Sequence, residues 1–187
     1  MKSAESIFKK VQKKNLPLSL EAIQETIRDI AEIRITCSFT SDIYRISEMI
    51  QAQSDIEVVE VKDYIQQPKP NGYRSLHIVM KIPVFMSDRT IKVYVEMQIR
   101  TIAIDFWASL EHKIYYKYNR HVPEYLTRQL KEAATTVAEL DRKMEHINKE
   151  INILKENDPA NNAGNLVVNS GALMLQLMKS MDMIEQA

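Results

Sequence analysis

The order of elements in this 187-residue sequence predicts an α+β fold. The expected architecture is a mixed, mainly antiparallel β-sheet of four to five strands, flanked by helices and followed by long C-terminal helices. Three observations carry it. Apolar residues alternate in short runs, as in Ile33, Ile35, Cys37 and Phe39, the period of a strand with one inward face. Helical spacing returns between and after those runs. Two strand runs are separated only by a turn near Ser87-Asp88, which predicts an antiparallel hairpin.

Each element has a local reason. Ser3 and Ser6 open a helix over 3–14 with Lys9, Lys10, Lys13 and Lys14 leaving one flank, and Asn15-Leu16-Pro17 stops it. Ser19 caps a second helix that runs to about Asp29, with Glu21 early in its first turn. A strand over 32–39 follows. Ser41 and Asp42 cap a third helix with Ile43, Ile46, Met49 and Ile50 on one face. Strands at 56–61 and 73–82 enclose a loop over 64–72 that carries two prolines and Gly72. Pro83 marks the end of the third strand or an edge position. A fourth strand spans 91–100. Helices over about 102–118 and 123–157 complete this part, the latter with Pro123 in its first turn. Residues 157–171 read as a linker. Leu173, Leu177, Met181 and Ile184 then recur at helical spacing, in a helix that packs either on the core or on another subunit. The division is a domain over 1–150 and a helical tail over 151–187, the tail a possible oligomerisation element.

Composition narrows the function classes. Lys+Arg and Asp+Glu balance at 25 each, so the chain as a whole does not advertise a polyanion partner such as DNA, and a phosphate site must be local. The same balance, with a single exposed-aromatic candidate, argues against a single-stranded RNA binder. Cys37 is the only cysteine; it is expected to be a buried, inert thiol in a reducing cytoplasm. No run of about 18 apolar residues is present, so no membrane helix is expected. The N-terminal stretch lacks the apolar core of a signal peptide. No zinc spacing, Walker loop or nucleophile elbow occurs.

Chemistry concentrates in two segments, Lys69-Pro70-Asn71-Gly72-Tyr73-Arg74-Ser75-Leu76-His77 and Glu96-Met97-Gln98-Ile99-Arg100. On strands, Tyr73, Ser75 and His77 share one face, as do Glu96, Gln98 and Arg100. Stacking, hydrogen-bonding and acidic groups then lie side by side, as a purine nucleotide with a metal ion requires. Glu96 sits where burial costs several kcal/mol (about 2–7 for an unpaired polar group) unless it is paired or binds metal; a salt bridge to Arg34, Arg74 or Arg100 is the alternative. Asp29, at the negative end of its predicted helix, calls for a compensating cation, Mg²⁺ or otherwise. Lys2, Ser6 and Lys10 recur every four residues, either as a solvated basic face or as a row of donors for a triphosphate. Tyr73 is a core ring or a stacking platform. Trp107 is expected in the core, and Glu111 and Tyr115 behind the strand residues.

Four motifs in this order resemble the synthetase domain of the RelA/SpoT family: Asp29-Ile30-Ala31-Glu32-Ile33-Arg34-Ile35, the Lys69–His77 loop, Glu96–Thr101, and Asp105-Phe106-Trp107-Ala108-Ser109-Leu110-Glu111-His112-Lys113. The resemblance covers about residues 1–150 and points to the small alarmone synthetases of the RelP type, with a nucleotidyltransferase-like synthetase fold. It implies transfer of the β,γ-pyrophosphate of ATP to the 3′-hydroxyl of GDP or GTP, making (p)ppGpp in the stringent response. It implies Asp29 and Glu96 as the catalytic pair and Mg²⁺ ligands, with Glu96 helping to activate the hydroxyl. Lys2, Ser6, Lys10 and Arg34 would serve ATP, Arg34 against adenine. Lys69, Tyr73, His77 and Gln98 would serve GDP or GTP, Tyr73 stacking on guanine. The C-terminal helices resemble those through which family members form homotetramers.

Two departures bear on this. The family usually carries Arg-x-Lys at the start of the first basic helix, after further helices; here the sequence opens Met1-Lys2. A lost half of a cation–π clamp on adenine costs roughly 0.5–2 kcal/mol, so the alternative expectation is an impaired guanine-nucleotide-binding module from a shortened chain. Glu32 also stands where glycine is common.

Overall fold

The computed structural model describes residues 2–116 and 122–157. Two compact units divide the chain after Lys143. The first contains α1 (Ala4–Lys13), α2 (Leu20–Thr26), β1 (Ala31–Cys37), α3 (Thr40–Gln51), β2 (Glu57–Asp63), β3 (Leu76–Phe85), β4 (Thr90–Thr101), α4 (Ile102–Tyr116) and the start of α5 (Glu124–Glu156). The described part of the second is the remainder of α5. The predicted linker beyond Asn157 and the final amphipathic helix lie outside the described residues.

The α+β expectation holds. Four strands are ordered β1-β4-β3-β2; β1 runs parallel to β4, and the other pairs are antiparallel. The turn from Met86 to Arg89 closes the β3–β4 hairpin. β2 reaches β3 only as far as the Glu57–Lys81 pair. Pro83, which cannot donate, therefore lies where one side of β3 has no strand neighbour.

One sheet face is the core. Leu76, Ile78, Met80, Val95, Met97 and Ile99 cluster with Cys37 and with Ile43 of α3. Ile46 and Ile50 pack against it, while Met49, expected on the same helix face, is exposed and Ser47 is buried in its stead. At 100° per residue, positions 43, 46, 47 and 50 make the tighter stripe. β1 ends at Cys37, so Phe39 is not an inward strand residue but the residue before α3, where its N–H donates to the Asp42 carboxylate. Cys37 is a buried free thiol, as expected. Trp107 is in a second cluster with Ala108 and Ala134, its Nε1–H donating to the Leu130 carbonyl.

The opposite face of the sheet is polar. The register sets Glu32 beside Glu96, Arg34 beside Gln98, and Gln98 beside His77. One-residue slippage would send this whole set into the apolar core, so the pattern itself fixes the register.

Candidate active site

The loop before β3 aims the first group. Gly72 has φ +89, and a Cβ there would stand 2.5 Å from Ala134 Cβ, so glycine is required by both backbone and space. Across this turn the Lys69 N–H donates to the Tyr73 carbonyl and the Gly72 N–H to the Lys69 carbonyl, while the Asn71 side-chain Oδ1 accepts from the Tyr73 N–H. The Asn71 amide donates to Glu111, so Glu111 supports the loop rather than the strand residues it is expected to back; the Tyr115 side chain lies outside the described residues. Regular strand begins only at Leu76, later than the pattern predicts. Tyr73, Ser75 and His77 nonetheless converge: the Tyr73 hydroxyl lies 2.9 Å from His77 Nε2. Lys69 Nζ stands 4.6 Å from the ring centres of both Tyr64 and Tyr73.

β4 supplies the second group. The side chain of Glu96 is 16% exposed, and its Oε1 lies 3.2 Å from His77 Nδ1. Its Oε2 accepts from the Gln98 amide at 3.0 Å. None of the three arginines considered from sequence pairs with it. The His77 bond is the largest influence on this carboxyl and lowers its pKa; burial opposes, Gln98 adds, and the charge of Asp29 works against them. The net effect keeps Glu96 below the ordinary glutamate value.

Asp29 departs from expectation in its setting. Helix α2 ends at Thr26, so Asp29 occupies the turn before β1 and no helix dipole acts on it. Its compensating cations are Lys2, at 2.8 Å, and Lys10, both on Oδ2. Burial pushes the carboxyl up, but the two lysines outweigh it and hold it below the usual aspartate value. Lys2 precedes α1 rather than lying on it, and its backbone N–H donates to the Ile30 carbonyl. Ser6 does not join these lysines; its hydroxyl meets that of the cap residue Ser3 at 2.9 Å. A serine in the first turn is spent on the helix terminus, which the four-residue spacing could not reveal.

Two clefts open on this face. One, of about 450 Å³, is lined by Lys10, Lys14, Asp29, Glu60, Lys62 and Glu96. The other, of about 620 Å³, is lined among others by Arg34, Lys69, Tyr73, His77, Gln98 and Glu111. Arg34 stands 3.4 Å from Asp105 and 3.7 Å from Glu32. Sequence reading missed Lys62, whose signal was the charge alternation of β2, and Asp105, which pairs with Arg34 and Arg100.

A divalent cation is compatible with the donors. Asp29 and Glu96 line one cleft, and the charge of Asp29 acts on Glu96. Among the described residues no cluster of three or more such ligands occurs. Mg²⁺ is commonly held by one or two carboxylates with substrate phosphates completing the shell, and this pair fits that donor set.

Comparison with known proteins identifies the family. Residues 1–121 match the pattern described as "Region found in RelA / SpoT proteins". The chain is 53% identical over 151 residues to GTP pyrophosphokinase YwaC of Bacillus subtilis (strain 168), spanning 81% of this chain and 72% of that protein. The crystal structure of small alarmone synthetase 2 from Bacillus subtilis superposes with a TM-score of 0.73 at 54% identity, covering 80% of this chain and 77% of the other. Small alarmone synthetase 1 from the same organism, bound to its product pppGpp, gives 0.75 at 40% identity, covering 81% and 76%.

Proposed function

The chain belongs to the RelA/SpoT family, and on that premise we propose which of its residues carry the reaction. It is a GTP pyrophosphokinase that moves the β,γ-pyrophosphate of ATP onto the 3′-hydroxyl of GDP or GTP, making (p)ppGpp. The observation that carries the residue assignment is the position of Glu96. It stands in the lysine-lined cleft, while its partners His77 and Gln98 line the neighbouring one.

In this reading the acceptor occupies the larger cleft, with guanine on the Tyr73 ring. Lys69 gives up its place over that ring for the acceptor's phosphates. His77 and Gln98 hold the acceptor so that its 3′-hydroxyl faces Glu96. Glu96 takes the hydroxyl proton as the oxygen attacks the β-phosphorus of ATP, and AMP leaves. Lys2 and Lys10 turn from Asp29 to the ATP phosphates, and Arg34 packs on adenine; Ser6, engaged with the cap residue Ser3, is left out of this row. Asp29 and Glu96 would hold Mg²⁺, which when bound would neutralise charge on the polyphosphate. Positioning and charge neutralisation dominate such transfers, so no covalent enzyme intermediate is required.

We propose further that copies of the chain associate as a tetramer. In the second unit, Met144, Ile147, Ile151 and Leu154 of α5 are all exposed, and their 3-4-3 spacing is that of a coiled-coil seam. We place this chemistry in the cytoplasm, with whose reducing conditions the buried free thiol of Cys37 accords, and in the stringent response.

The test is product identity. Purified chain is incubated with Mg²⁺, ATP labelled at the β or γ phosphate, and GDP or GTP. Label in a guanosine 3′-pyrophosphate, with AMP formed in equal amount and both lost on chelation, supports the reading. Release of free pyrophosphate or phosphate without labelled guanosine product would refute it.

A further inference from the structure

Arg100 has no part in the assignment above, yet it is 4% exposed and sits beneath the acceptor cleft. A guanidinium can only donate, and this one is surrounded by acceptors. Its Nη2 donates to the Tyr73 hydroxyl at 2.6 Å and to Gln98 Oε1 at 2.6 Å. Its Nη1 donates to Asp105 Oδ1 at 3.0 Å, and its Nε to the Ser75 hydroxyl at 3.4 Å.

That one-way character propagates. The Tyr73 oxygen must accept from Arg100, so its single proton is directed to His77 Nε2. His77 then accepts at Nε2 and carries its ring proton on Nδ1, which faces Glu96 Oε1. Gln98 turns its carbonyl oxygen to Arg100, so its amide nitrogen faces Glu96 Oε2. Two chains of bonds, one through Tyr73 and His77 and one through Gln98, run from one buried cation to the two oxygens of one carboxylate.

We propose that Arg100 is a positioning residue for pyrophosphoryl transfer: through Tyr73 and Gln98 it fixes the His77 tautomer and the amide orientation that aim Glu96 at the acceptor hydroxyl. This rests on the assignment of Glu96 as the proton acceptor. Asp105 anchors the arginine from α4 through its Nη1, at 3.0 Å.

Nucleotide-free protein is examined first, by long-range ¹H–¹⁵N correlation on the His77 ring. The parent is expected to show Nδ1–H and unprotonated Nε2. Arg100→Lys, whose single ammonium cannot reach the same acceptors together, and Tyr73→Phe, which keeps the ring but removes the relay, should both lose that preference. In steady state both should lower kcat about 10- to 100-fold, the usual cost of losing a supporting hydrogen-bond partner, with KM for ATP unchanged. Tyr73→Phe covers the case in which Arg100→Lys fails to fold. An Nε2–H tautomer in the parent, or parental kcat in Tyr73→Phe and in folded Arg100→Lys, would overturn the proposal. Parental turnover in Glu96→Gln would instead overturn the assignment of Glu96.

Discussion

The two carboxylates of the site are held in opposite ways. Glu96 is held by a ring N–H and an amide, His77 and Gln98, that come from the adjacent strand and its own. Asp29 is held by two lysine ammoniums, from before and within a separate helix. The first arrangement is built into the sheet register. The second is made by long, rotatable side chains that a polyphosphate can draw away. A site that must bring a nucleophile to a fixed point, yet admit and release a highly charged donor, needs one corner of each kind.

Breaking the rigid corner should have the largest effect. Glu96→Gln keeps the side-chain shape and should lower kcat roughly 10³-fold, within the range for losing a positioned base. Asp29→Asn, at the exchangeable corner, should cost about 100-fold, within the range for removing one electrostatic stabiliser; steady-state product assays under saturating nucleotide measure both. Tyr73→Ala removes the stacking platform and should raise KM for GDP or GTP about tenfold or more, from the roughly 1–3 kcal/mol of a base–aromatic stack. Its KM for ATP should not move, which acceptor and donor titrations would show. Arg34→Ala should reverse that pattern, raising KM for ATP several-fold, from about 0.5–2 kcal/mol of cation–π contact.

The smallest effect concerns stability. Asp29 and Glu96 both titrate below their ordinary values, 3.8 and 4.5. A carboxyl with a depressed folded-state pKa contributes stability fully above its unfolded pKa and loses it as pH falls through the folded value. The urea midpoint should therefore drop as pH is lowered from about 5 to 3, and Asp29→Asn should show a shallower drop. An equal slope in parent and variant would show that the lysine pairs add nothing.

The rigid corner was legible in the sequence and the exchangeable one was not. Alternation in Glu96, Gln98 and Arg100 and in Tyr73, Ser75 and His77 assigns those groups to shared faces, because strand periodicity acts over two residues. The pairings of Asp29 span 19 residues to Lys10 and 27 to Lys2, and no local period encodes them. For the same reason the parallel pairing of β1 with β4 escaped the element order, which reveals only the hairpin. Arg100 was visible as a site-facing residue; its role depends on four acceptors drawn from three segments of the chain.

The most direct measurement is single-turnover product formation by Glu96→Gln, with ATP and GDP bound at saturation and their binding measured separately. The account predicts parental binding of both nucleotides within a few-fold and a rate of pyrophosphoryl transfer reduced roughly 10³-fold. Transfer at the parental rate would contradict it, as would a loss of turnover explained wholly by lost nucleotide binding.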